Sequence, residues 1–141
     1  MKEHDQIILK NDPRLKVFEA KRDDMGKKYA TFIGTYIGKK NGVIFLAIEN
    51  RTVVGYILVF IKDEIPIYKC KQIGYISDLY IKSGFRSQGL SSKLKNQAIA
   101  WFKRKNISYI AVPLYLANKT AHSIYKKWGF FDYKVEMRMK I

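Results

Sequence analysis

Cysteine is nearly absent from this chain: Cys70 is the only one in 141 residues, which excludes an intrachain disulfide and a cysteine-built metal cluster. Long apolar runs are missing too. Met1 to Lys10 is polar at first and holds no stretch long enough for a signal peptide or a membrane span, so a cytoplasmic location without a membrane partner is expected. Histidine is scarce, and His122 has no second ligand at metal-binding spacing; it reads as a surface residue, and no metal is expected. The most telling scarcity is of negative charge. Residues 71–141 hold 3 Asp/Glu against 14 Lys/Arg, whereas residues 1–70 hold 9 against 13, so the second half carries +11 of the net +15. A field of one sign concentrates anionic ligands such as a nucleotide cofactor, nucleic acid or an acidic membrane surface. Lysines kept for solubility account for most of the positive charge but not for the missing acids.

What is present is a globular composition, 48% apolar with 14% aromatic residues, and a length that suits one domain over residues 1–141 with one active site. Gln6 to Lys10 reads as a short strand, and Asp12-Pro13 starts a helix over about Pro13 to Ala20. Asp23 or Asp24 caps a second helix, in which Met25, Tyr29, Phe32, Ile33, Tyr36 and Ile37 form one apolar stripe up to Gly38. Val43 to Ile48 and Val53 to Ile61 are β-branched and aromatic runs flanking a hairpin at Glu49-Asn50-Arg51-Thr52. Gln72 to Ile81 is the next strand, with a turn at Lys82 to Phe85. From Gln88 to Lys105, Leu90, Leu94, Ala98, Trp101 and Phe102 line one helical face. Ser108 to Leu114 is an apolar strand, Asn118 caps a helix from Lys119 to Trp128 that stops at Gly129, and Phe131 to Lys140 is a last strand. The expected order is β-α-α-β-β-β-α-β-α-β.

The segment that carries chemistry runs from Leu79 to Ser92, a strand, a tight turn and a helix start. Free backbone N–H groups and the positive dipole end of a helix attract anions, and small residues let a phosphate approach the main chain. Gly89, Ser91 and Ser92 supply the small surface and Arg86 a cation, a geometry that fits a diphosphate. Neither the Gly-x-x-x-x-Gly-Lys-Ser/Thr nor the Gly-x-Gly-x-x-Gly phosphate motif is present. On these residues alone, an anion pocket and a glycine tolerated near a helix start are equally good readings.

Arg86-x-x-Gly89-x-Ser91, after Leu79-Tyr80-Ile81, resembles the acetyl-CoA signature of the GNAT superfamily of N-acyltransferases, and Asn118-x-x-Ala121-x-x-x-Tyr125-x-x-x-Gly129-Phe130 resembles its second cofactor segment. The resemblance runs from about Val43 to the C-terminus. It implies an α/β fold with a mixed, mostly antiparallel sheet, a central splay and helices on both faces, and an N-acetyltransferase whose acceptor amine attacks acetyl-CoA directly in a ternary complex. It also assigns roles. Leu79, Tyr80 and Ile81 line the pantetheine arm, Leu79 and Ile81 through main-chain groups, in a gap where their strand splays from Ile110 to Leu114. Arg86, Ser87, Gln88, Gly89, Leu90, Ser91 and Ser92 cradle the pyrophosphate. Asn118 touches the pantetheine, and Tyr125 protonates the departing thiolate.

Two departures stand out. Ser91 replaces the family's preferred Gly or Ala, with little threat to phosphate binding, and Pro113 stands where members that acetylate protein N-termini place a glutamate, so that activity is not expected. Asp78 is the candidate for the missing base, one of three acids in its half of the chain; its structural alternative is a salt bridge to a lysine, and the chemical one is that backbone carbonyls and water accept the proton or that a neutral amine binds directly. Tyr125 shares an apolar face with Ala121, Ile124 and Trp128, and a core tyrosine is its alternative. The acceptor is a small-molecule or peptide amine of unknown identity, and the donor chain length and oligomeric state are not encoded legibly. Rival readings are a basic nucleic-acid-binding module, for which no known motif appears, and a sensor that binds acyl-CoA without turnover.

Overall fold

The computed structural model describes Arg14 and residues 24–38 and 41–141. The strand expected at Gln6 to Lys10 lies outside the described residues, as does, apart from Arg14, the helix expected at Pro13 to Ala20. The described chain parts into two compact units, 24–113 and 114–141.

The first unit opens with helix α1, Met25–Gly38. It continues into the hairpin β1, Gly42–Glu49, and β2, Thr52–Asp63. Asn50 and Arg51 both adopt left-handed backbone, φ 47° and 62°, which is how a two-residue loop matches the right-handed twist of the strands it joins. β3, Gln72–Ile81, pairs antiparallel with β2, and β4, Ile110–Ala111, pairs in parallel with β3, giving the order β1-β2-β3-β4. Between β3 and β4 run a 3-10 turn, Ser83–Phe85, and helix α2, Leu90–Arg104.

The sheet is covered on both faces. Side chains alternate along a strand, so Phe60 and its partner Tyr75 share one face, where the Tyr36 ring of α1 stacks on Phe60 at 4.1 Å. Gly74 lies on the opposite face, where Phe102 of α2 packs so close that a Cβ there would stand 2.6 Å from the ring. The buried positions of α2, Leu94, Ala98 and Phe102, recur every four residues, as the apolar stripe in the sequence requires. Between the helices Ile57, Leu58, Val59 and Phe60 are buried in succession, the mark of a central strand covered on both sides.

One irregularity reorients the second half of β3. Leu58 pairs with Asp78 but Val59 with Ile76, so Ser77 is an extra residue, a β-bulge. Before it, the Gly74 N–H points to the β4 edge and donates to the Tyr109 carbonyl at 2.9 Å. After it, the Lys82 N–H points the other way, to the Val54 carbonyl of β2, also at 2.9 Å. The inserted residue has reversed the alternation. Leu79 and Ile81 therefore turn their main-chain groups to the edge away from β2, while Asp78 and Tyr80 turn their side chains to the face that holds α1.

Two sequence expectations are corrected. The strand expected over Ser108 to Leu114 is reduced to Ile110–Ala111, paired only with Gly74 and Tyr75. The parallel ladder ends just ahead of Pro113, which has no N–H to donate, and the rest of β3 splays from it. The last strand expected over Phe131 to Lys140 is not formed with any partner among the described residues. Its apolar residues do alternate, but alternation describes a face, and a strand also needs a ladder.

The second unit is built on helix α3, Lys119–Lys127. The Asn118 Oδ1 accepts the Ala121 N–H at 3.1 Å, an N-cap. At the other end Gly129 takes φ 92°, the Phe130 N–H reaches the Tyr125 carbonyl at 3.1 Å and the Gly129 N–H the Lys126 carbonyl at 3.0 Å. This is a Schellman closure, with the Phe130 ring on Tyr125 as its apolar contact.

Because the Phe102 ring is walled in, Gly74→Ala should lower stability by about 1–3 kcal/mol, and Phe102→Leu in the same chain should recover part of the loss. Thermal melts of the single and double variants test this; a neutral Gly74→Ala would mean the ring has room to move.

Candidate active site

The turn after β3 is held by its own backbone. The Phe85 N–H bonds to the Lys82 carbonyl at 2.9 Å and the Arg86 N–H to the Ser83 carbonyl at 3.3 Å. Arg86 is extended, and its Nε donates to the Ile81 carbonyl at 2.9 Å. The cation is thus tied to the open edge of β3. Ser87 and Gly89 follow in left-handed backbone, φ 62° and 74°, and Gly89 is the N-cap of α2. A glycine offers no side-chain acceptor, so the first amides of α2, at Leu90, Ser91 and Ser92, have no side-chain cap. A nest of amides at a helix start is an anion site. A Cβ on Gly89 would meet nothing within 4 Å. The glycine is therefore not demanded by packing; it permits the left-handed turn. Between Leu79 and Phe131 the sequence has ten Lys/Arg and no Asp or Glu, so no carboxylate of this stretch opposes a bound anion.

A second cluster lies on the other face of β3. Asp78 is half-buried, and the Tyr56 hydroxyl of β2 donates to its Oδ2 at 2.6 Å. The Tyr80 ring lies 5.9 Å from that of Tyr56, and Tyr29 of α1 is near enough to feel Ser77 and the charge of Asp78. The salt bridge to a lysine offered by the sequence is not what Asp78 makes among the described residues; its partner is a phenol. Burial, and then the bond to and charge of Asp78, push the Tyr56 hydroxyl far above the usual tyrosine range. Burial first and then Asp78 raise Tyr29, and burial raises Tyr75. Tyr56 and Tyr29 escaped the sequence analysis, where they were one strand residue and one member of a stripe. The signal that could have flagged them is the bulge, which a sequence does not print.

In the second unit Tyr125 is buried, with the Trp128 and Phe130 rings at 5.2 and 5.3 Å, both edge-on. The Asn118 oxygen is occupied by the helix cap. His122, expected as a surface residue, is half-buried and meets Asp132 at 2.6 Å, with Lys126 on the same carboxylate at 3.0 Å. The two units hold different parts of the predicted site, Asp78 to Ser92 in one and Asn118 and Tyr125 in the other.

The sheet β1-β2-β3-β4, in which β3 runs on beyond its pairing with β4 and leads into a helix start without a side-chain cap, is a mixed α/β architecture. The model of the acetyltransferase (GNAT) family matches residues 8–130, and the chain belongs to that family: it is an acyltransferase. The match begins well before Val43, so the N-terminal region, which carried no legible signature, is part of it. The chain is 25% identical over 112 residues to N-alpha-acetyltransferase 30 of Schizosaccharomyces pombe, covering 79% of this chain and 73% of the relative. Its fold resembles that of a predicted acetyltransferase from Clostridium acetobutylicum crystallised with acetyl-CoA, with TM-score 0.73, 21% identity and coverage of 96% and 88% of the two chains. It also resembles an aminoglycoside antibiotic 6'-N-acetyltransferase from Acinetobacter haemolyticus, with TM-score 0.70, 20% identity and coverage of 94% and 92%. No helix among the described residues is long and apolar enough to cross a membrane.

Tyr29, Tyr56 and Tyr75 hold their protons to higher pH in the fold than in the unfolded chain, where the proton leaves near 10.0. Their contribution to stability is complete below that pH and is lost as pH rises through the folded values. The melting temperature should therefore fall above about pH 10, and less steeply in Tyr56→Phe. An identical slope in the two proteins would remove Tyr56 from this account.

Proposed function

We propose that the chain is an N-acetyltransferase that moves an acetyl group from acetyl-CoA to a primary amine by direct attack in a ternary complex, with residues 1–141 acting as one domain. The observation that carries this reading is the uncapped start of α2 at Gly89, in left-handed backbone with open space at its Cβ position, after a strand whose last residues do not pair with β4. The family match across 8–130 spans both units and supports a single working domain.

In this reading Arg86, Ser87, Gln88, Gly89, Leu90, Ser91 and Ser92 hold the pyrophosphate, through amides, hydroxyls and one guanidinium. Leu79, Tyr80 and Ile81 flank the pantetheine arm, Leu79 and Ile81 by their outward main-chain groups, and Asn118 contacts the same arm. Bound acetyl-CoA supplies the electrophilic thioester carbonyl. The amine nitrogen forms the new bond to that carbon as the carbon–sulfur bond breaks. Asp78 takes the proton the nitrogen loses, through a bridging water, and Tyr125 gives its hydroxyl proton to the departing thiolate. Exchange with solvent restores both side chains. A serine or cysteine nucleophile has no part in this scheme.

The acceptor is a small-molecule or peptide amine. The relative named N-alpha-acetyltransferase 30 keeps a peptide α-amine in view, whereas Pro113 weighs against one. A panel of small amines, aminoglycosides and N-terminal peptides, scored by release of free CoA, separates these acceptors. A nucleic-acid module would instead be stabilised by oligonucleotides in a salt-dependent way, and a sensor would bind acetyl-CoA with no amine-dependent CoA release.

Gly89→Trp should abolish acetyl-CoA binding in calorimetry, since a large side chain at the α2 start would keep a phosphate from the main chain; undiminished affinity in a folded variant would put the pocket elsewhere. Tyr125→Phe should keep cofactor affinity and lower kcat by about 10²–10⁴. An unchanged kcat, measured where chemistry limits the rate, would make Tyr125 a core residue only.

A further inference from the structure

We propose that Tyr56 is a positioning residue that fixes the Asp78 carboxylate through Oδ2 and leaves Oδ1 as the oxygen that takes the amine's proton. The inference rests on the assignment of Asp78 as the base.

The bulge is what brings the pair together. Counting alternately from Gly74 on the α2 face, Asp78 would fall on that same face, toward the apolar Leu94, Ala98 and Phe102. The extra residue at Ser77 turns it to the α1 face, directly beside Tyr56, Tyr80 and Tyr29. A carboxylate there is faced by three phenols, from β2, its own strand and α1. Among the described residues no lysine or arginine lies within ion-pair distance of it. Its one hydrogen-bond donor among the described residues is the Tyr56 hydroxyl.

The two carboxylate oxygens differ. Oδ2 is held at 2.6 Å. No donor meets Oδ1 among the described residues, yet none of their buried side-chain oxygens lacks a partner. Asp78 is only half-buried, and Oδ1 is left as the oxygen on which a water bridging to an attacking amine can land. Tyr56 keeps its proton throughout any assay range, because burial and then Asp78 raise its hydroxyl. It is a permanent donor and cannot serve as the base itself. A hydrogen bond to an ionised carboxylate favours the ionised form and fixes the plane of the group. One such bond steadies Asp78 without blocking the second oxygen.

The test compares the parent with Asp78→Asn, Tyr56→Phe and a chain carrying 3-fluorotyrosine at position 56, a stronger donor of nearly the same shape. The acidic limb of kcat/KM is recorded with the amine that releases most CoA in the panel, and the Asp78 signal is titrated by NMR in protein labelled at aspartate Cγ, with no acceptor present. Asp78→Asn should abolish the acidic limb; a limb that persists overturns the base assignment and this inference with it. With the limb abolished, Tyr56→Phe should move both the parental limb and the Asp78 midpoint to higher pH by about one unit, the worth of a hydrogen bond to a charged group. Fluorotyrosine should move both the other way. A role in packing alone would lower activity at every pH and move neither. Unshifted limb and midpoint in both Tyr56 variants would overturn the positioning role while leaving Asp78 as the base.

Discussion

The bulge at Ser77 is the constraint on which the first unit depends. A regular β3 would point the Leu79 and Ile81 main chain into the ladder with β2 and the Asp78 side chain into the apolar layer under α2. One inserted residue exchanges these orientations. It leaves a free main-chain edge where β4 has ended, and it gives the carboxylate a tyrosine partner. It also aims the end of the strand at Lys82, whose bond to Val54 closes the sheet just before the turn into α2. Strand edge, carboxylate and helix start are thus three consequences of a single register shift.

Much of the fold was legible because it rests on periodicity. The four-residue repeat of Leu94, Ala98 and Phe102 and the β-branched runs of β1 and β2 have few alternative uses. The errors fall where a strand is defined by something outside its own residues. Phe131 to Lys140 has the alternation of a strand but no ladder among the described residues. Ser108 to Leu114 has the composition of one, yet the ladder closes after Ala111, ahead of the missing N–H of Pro113. A bulge lies at the same limit, since it exists only in the pairing of two strands.

The site was legible in a different way. The turn residues were singled out by their resemblance to a known signature, and the structure gives Gly89 a left-handed backbone with nothing near its Cβ position. The second motif folds as its residues predicted, with a cap at Asn118 and a stop at Gly129. Asn118 spends its oxygen on the helix cap, and Gly129 and Phe130 complete the Schellman closure over Tyr125, so two parts of a pattern read as cofactor recognition also start and stop a helix. Asp78 was singled out by the scarcity of acids around it. Its partner Tyr56 was not, because ten tyrosines in 141 residues give no one of them prominence.

The central claim is that the outward edge of β3 and the start of α2 hold acetyl-CoA. Amide hydrogen exchange measured with and without acetyl-CoA tests it most directly. The expected result is slowed exchange at the amides of Leu79 and Ile81 and across Ser87 to Ser92, with β1 unchanged. Acetyl-CoA that binds while protecting other amides and leaving these as they were would contradict the account.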